Sequence, residues 1–276
     1  MQSSNPVLNR SSAFAPGQGQ AYPGAAPYGQ PGPYGYGGSG MPPRPQDQMA
    51  PASSRPMTLD DVIVKTAITL AVVVASAAAA WFLVPATLVT PAFLAGALVG
   101  FALAMVVSFS RKVSPALVML YAVAEGVFLG IGSKFIANWV GDPGIIVQAI
   151  LATMVTAGLT LATYKYFAIK VTPKFTKMVV IGTMGFAGVL LINLVLSLFG
   201  VHTGISGFGP MGLLFAALGA GLAVFNLILD FDLVEQGVRH GAPQNEAWRA
   251  AFALTVTLVW LYWNILRILA ILRGGD

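Results

Sequence analysis

Residues 178–229 read MVVIGTMGFAGVLLINLVLSLFGVHTGISGFGPMGLLFAALGAGLAVFNLIL, 52 positions without one Asp, Glu, Lys or Arg. A membrane-spanning helix needs about 20 apolar residues, so this run predicts two spans with a turn between them. Residues 66–110 are equally free of charge and predict two more. Residues 143–164 and 250–266 each hold one, and residues 113–133 hold another that only Glu125 interrupts. Prolines punctuate the series. Pro85 ends the first span, Pro91, Pro115, Pro143 and Pro210 stand at helix starts, where a missing amide costs nothing, and Pro173 and Pro243 fall in polar loops. The predicted spans are 62–84, 91–109, 115–136, 145–166, 178–199, 210–232 and 250–271, seven in all. The fold class is all-α, a polytopic membrane protein.

Composition agrees. Of 276 residues, 56% are apolar and 9% charged, with a mean hydropathy of +0.75. Soluble domains carry about 25% charge, so a water-soluble enzyme is excluded. There is no cysteine, which removes disulfides, thiolate metal sites and cysteine nucleophiles together. The net charge of +5 reads as topology and headgroup contact, with no nucleic-acid partner.

Two parts follow: a tail, 1–57, and a seven-helix domain, 58–276. The tail holds 11 of the 18 prolines and 9 of the 31 glycines, interleaved with tyrosine and glutamine. Such a segment is expected to be disordered, either a solvated linker or an arm for a partner. It has no signal-peptide apolar stretch, so the first span is expected to do the targeting. With the tail in the cytoplasm, 12 of the 15 basic residues fall inside, and Lys134, Arg267 and Arg273 fall outside. The positive-inside rule therefore predicts a cytoplasmic N-terminus and an external C-terminus.

Four acids need placing. Glu125 is mid-span, where a charge costs about 2.5–3.5 kcal/mol on insertion scales; it should face the bundle interior, protonated or partnered. Asp230 and Asp232 lie near the inner end of the sixth span, with Glu235 just beyond. Two residues is about 200° of helical rotation, so Asp230, four after Asn226 and on its face, is taken as the inward acid, and Asp232 as nearer the headgroups. The alternative is that both mark a hydrated helix end.

In the last span Thr257, Asn264 and Arg267 share one face and should point into the bundle. Arg267 can also snorkel to the headgroups; as a partner for Glu125 it is offset by roughly 10 Å. Thr153, Thr156, Thr160 and Thr163 form a stripe explained by hydrogen bonds to their own backbone. Gly96 and Gly100, Gly126 and Gly130, and the Gly182, Gly185, Gly188 series predict close helix packing. Gly204-Ile205-Ser206-Gly207 matches the GxSG of intramembrane serine proteases, but that chemistry needs a histidine from another span. Only His202, in the same loop, and His240, in an inner loop, exist. No enzyme activity and no bound cofactor are expected.

The order of several motifs carries a resemblance. Tyr121-Ala122-Val123-Ala124-Glu125-Gly126-Val127-Phe128-Leu129-Gly130 in the third span, Ala162-Thr163-Tyr164-Lys165 followed by Lys174-Phe175-Thr176-Lys177-Met178, Leu227-Ile228-Leu229-Asp230 in the sixth span, and Leu266-Arg267-Ile268-Leu269 in the last resemble the Bax inhibitor-1/YccA family, the transmembrane BAX-inhibitor-motif proteins. The likeness covers roughly residues 58–276, leaves the tail outside, and suggests a bacterial member in the inner (plasma) membrane. It implies a seven-helix Bax-inhibitor-like bundle with the last helix central. It also implies a pH-sensitive calcium leak in which two aspartates, from the sixth and last spans, share a proton and pair with a base. Asp230 matches the first aspartate, Arg111 the base and Arg267 the last-span arginine. Thr257 stands where the second aspartate belongs, and a threonine cannot share a proton as a carboxylate does. Asp232 and Glu125 are the acids left to compensate, and helical geometry disfavours Asp232. The implied partners are the lipid bilayer, protons and calcium as a permeant ion that would meet Asp230. A second implication is a non-conducting protein that modulates a membrane-bound AAA protease.

Overall fold

The computed structural model describes residues 55–110, 113–166, 171–201 and 203–274, without the side chain of Ala86. The disorder expected for residues 1–54, and the roles expected of Arg111 and His202, lie outside the described residues.

Within the described residues seven helices follow one another: α1 (Leu59–Leu83), α2 (Val89–Phe109), α3 (Pro115–Val140), α4 (Gly144–Tyr166), α5 (Pro173–Leu198), α6 (Pro210–Arg239) and α7 (Glu246–Arg273), with a 3-10 turn, Ala86–Leu88, before α2. Each is long and apolar enough to cross a membrane. Large apolar side chains such as Phe82, Phe101 and Leu198 point outward, each at least two-thirds exposed. Outward apolar surface on this scale needs lipid against it, and the chain is a multi-pass membrane protein.

Most helices overrun the predicted spans. α3 continues to Val140, α6 to Arg239, and α5 begins at Pro173 rather than 178. Hydropathy marks where lipid ends, whereas a helix ends where its backbone finds caps. Pro173 is thus not a loop residue. It is the first residue of α5, behind Thr172, whose hydroxyl caps the Phe175 amide at 3.2 Å. α1 starts on a capping box: Asp61 N–H donates to the Thr58 hydroxyl at 3.2 Å, and Thr58 N–H to the Asp61 carboxylate at 3.1 Å.

The bundle is organised around α7, which packs against α6, α1, α4 and α3, while α5 leans on α6. Half of the most apolar stretch of α3 and of α7 is buried, against 11% in α5. Glycine sets two seams. A Cβ at Gly126 would lie 1.9 Å from Ser76 Oγ, and one at Gly130 2.3 Å from the Ala77 carbonyl, so α1 and α3 touch backbone to backbone. A Cβ at Gly96 would likewise lie 3.1 Å from the Phe128 backbone nitrogen, so α2 packs closely on α3 there. The α5 series differs from expectation: Gly185 and Gly188 meet nothing within 4 Å, because α5 is peripheral.

The last tail residues are docked. Met57 is buried, its N–H donates to the Ala242 carbonyl at 2.7 Å, and the Gln244 N–H donates to the Arg55 carbonyl at 3.0 Å. This strap ties the start of α1 to the α6–α7 loop.

Candidate functional site

α6 and α7 run antiparallel, and in the half of their seam toward the start of α7 the Thr257 hydroxyl donates to Asp230 Oδ2 at 2.6 Å. Because α6 extends to Arg239, Asp230 lies about 14 Å from its last residue at 1.5 Å per residue. Thr257 is buried, Asp230 half-buried, and Leu227 and Leu254 form the apolar core beside them. Among the described residues no cation comes within ion-pair distance of Asp230.

The neighbouring polar residues point elsewhere. Asn226, expected on the face of Asp230, donates to Thr183 of α5 at 2.8 Å. Asp232 turns to α4 and the helix end: it accepts from Gln236 at 2.5 Å and lies 3.2 Å from the Tyr164 hydroxyl, which donates to Glu235 at 2.7 Å. Glu235 also pairs with Arg239 at 2.5 Å. Asp232 is therefore not joined to Thr257, as the 200° rotation requires.

Glu125 sits half-buried in α3, one turn after the buried Tyr121. Its carboxylate lies against α2, where a Cβ at Gly100 would come within 3.0 Å of Oε2. The glycine leaves room for the carboxylate.

Arg267 does not pair with Glu125. It is 8% exposed, and its Nη2 donates to the Ile205 and Gly207 carbonyls at 2.9 and 3.3 Å. Gly212 permits this seat, since a Cβ there would fall 1.9 Å from the Gly207 carbonyl. Asn264 is buried, donates to the Trp260 carbonyl of its own helix at 2.8 Å, and faces Gly219 of α6. The Thr257, Asn264, Arg267 face thus meets α6 and the α5–α6 loop as three separate contacts. In that loop Ser206 Oγ accepts from Asn193 at 2.6 Å, and Thr203 donates to the same Asn193. Thr153 and Thr160 donate to their own helix's carbonyls at 2.7 Å.

Sequence reasoning missed the carbonyl seat of Arg267, the Tyr164 contact to Asp232 and Glu235, and the Ser133–Tyr262 hydrogen bond of 2.8 Å between α3 and α7. Asn193, a lone amide in the apolar run of α5, was the one signal for the loop network. Among the described residues no group of three His, Asp or Glu is placed to hold a metal ion.

Comparison with known proteins places this geometry. No curated protein matches the chain. The family described as Bax inhibitor 1 like matches residues 5–274, so the likeness extends into the tail, which the motifs alone leave outside. With the match covering nearly the whole chain, including all seven helices and the Asp230–Thr257 seam, the protein belongs to the Bax inhibitor 1 like family.

Proposed function

We propose that the protein is a proton-responsive passage for cations, calcium among them, in the inner (plasma) membrane, with its N-terminus in the cytoplasm. The observation that carries the reading is the Thr257–Asp230 hydrogen bond of 2.6 Å between α6 and α7. A carboxylate within a helix seam holds a charge that a single proton removes, and intramembrane acids mark ion and proton pathways. Protonated Asp230 loses its attraction for a cation; ionised Asp230 offers one carboxylate on the path of calcium. Thr257 keeps the acid on the α7 side in both states, because a hydroxyl donates to either form through a remaining lone pair. Glu125, against Gly100, is a second acid deeper in the bundle. The basic excess at the α1-start end supports the orientation. The reading makes the protein a conduit and not an enzyme.

The test is calcium flux into liposomes holding the purified full chain, measured across external pH. Proton-dependent flux that Asp230→Asn alters is the expected result. No flux, or flux unchanged in Asp230→Asn, overturns the reading. One observation favours a second reading: Asp230's partner is neutral, so a proton-sharing carboxyl pair is missing at Thr257. A non-conducting protein that modulates a membrane-bound AAA protease needs no such pair; co-purification of that protease, lost when residues 1–57 are deleted, would support it.

A further inference from the structure

α2 packs on α3 and α5 on α6, and the gap between α2 and α5, at the end far from Asp230, is a cavity of about 550 Å³. Its walls are aromatic: Phe93, Phe186, Trp260 and Trp263. Phe186 and Trp260 stand 5.7 Å apart between ring centres. At its polar end are Ser206, Asn264 and Arg267. Phe135, also lining it, is 60% exposed on the lipid flank.

Arg267 is the distinctive member. A guanidinium has five N–H donors and stays charged. Here the two carbonyls of the α5–α6 loop both bind Nη2. Among the described residues Nη1 and Nε meet no acceptor, and no carboxylate lies within ion-pair distance. A cation more than nine-tenths buried, with no countercharge beside it, is costly unless an anion completes it. α7 is 28 residues, or about 42 Å, against a hydrocarbon core of about 30 Å. Arg267 lies six residues before its last residue, within about one turn of the hydrocarbon boundary if the excess is shared between the ends. That is the depth of a lipid head with its chain running inward.

We infer that this cavity binds one amphiphile whose oxyanion head, a phosphate or a carboxylate, pairs with Arg267 and whose acyl chain lies along Phe93, Phe186, Trp260 and Trp263. Arginine suits a planar or tetrahedral oxyanion because two N–H groups engage it together. The volume is that of an ordinary ligand pocket, and the apolar walls accept a chain that bulk lipid supplies. Asn264 and Ser206 offer further polar contacts to the head.

Native mass spectrometry of the full chain, purified in detergent and given equimolar phosphatidylglycerol and diacylglycerol of matched chains, tests this. A parallel sample has oleate added, and a third inorganic phosphate. The expected result is one retained phosphatidylglycerol or oleate per chain, preferred over diacylglycerol, which has no oxyanion, roughly tenfold, as one charge-assisted hydrogen-bonded pair warrants. Phosphatidylglycerol retention identifies a membrane lipid as the occupant, oleate retention a free fatty acid. Arg267→Gln should bring the ratio to about one. Leu190→Phe, which fills the cavity from α5 and keeps the arginine, should lower retention of either amphiphile and guards against a misfolded Arg267 variant. Retention indifferent to head charge, a preference that survives both variants, or displacement by equimolar inorganic phosphate overturns the inference.

Discussion

The two halves of the α6–α7 seam hold opposite charges in opposite ways. Toward the start of α7, Asp230 is held by one neutral hydroxyl, Thr257. Ten residues later Arg267 is held by two backbone carbonyls of the preceding loop. The two positions are about 15 Å apart along α7, so they do not neutralise one another. Each charge is met by dipoles instead of a countercharge. The difference is in what can change. A carboxylate can take a proton and become neutral, whereas a guanidinium cannot lose one in a protein. One half therefore carries a charge that a proton can remove, and the other a charge that stays.

The largest effect is expected where the arginine's seat is broken. Gly212→Val puts a side chain where a Cβ already falls 1.9 Å from the Gly207 carbonyl. The loop must move and Arg267 loses its acceptors, at a cost of about 3 kcal/mol or more. Thermal unfolding in nanodiscs should show a large fall. Gly221→Ala, on the same helix with nothing within 4 Å, should instead be neutral or stabilise by about 0.5–1 kcal/mol.

Next comes the asymmetry itself. Arg267→Gln should destabilise by about 1–3 kcal/mol, because two half-buried loop carbonyls lose their charged donor. Asp230→Asn keeps a carbonyl to accept from Thr257 and should change stability by less than about 1 kcal/mol. Equal losses in the two variants would erase the distinction between the halves. Thr257→Val, which trades the hydroxyl for a methyl group, should cost about 1 kcal/mol and alter the pH dependence of flux more than its size at a fixed pH. The smallest effect belongs to Arg55→Ala. Its ion pair with Asp61 spans 2.7 Å, but the arginine side chain is 63% exposed, so the loss should be no more than about 0.5 kcal/mol. A larger loss would show that the strap at the start of α1 braces the Asp230 half.

The fold was legible because charge is absent in runs that only lipid explains, such as 66–110 and 178–229. Helix ends were not, since the first turn of α5, with Lys174, Thr176 and Lys177, and the turns of α6 beyond Phe231 are polar yet helical. Asp230 and Thr257 could be named in advance, one as an acid in a span and the other by its place on the α7 face. That they touch follows from the antiparallel register of α6 and α7, which no local pattern states. The seat of Arg267 was hidden for another reason: its acceptors are main-chain carbonyls, identical at every residue, and only the folded loop brings Ile205 and Gly207 to it. Tyr164 was hidden by distance, meeting Asp232 from 68 residues away.

The central claim is that the switchable charge is Asp230 and not Arg267. Calcium flux into liposomes, titrated over external pH for the unmodified chain, Asp230→Asn and Arg267→Gln side by side, tests it most directly. The account predicts that the pH dependence is lost in Asp230→Asn and kept in Arg267→Gln. A pH dependence that survives in Asp230→Asn, or vanishes only in Arg267→Gln, would contradict it.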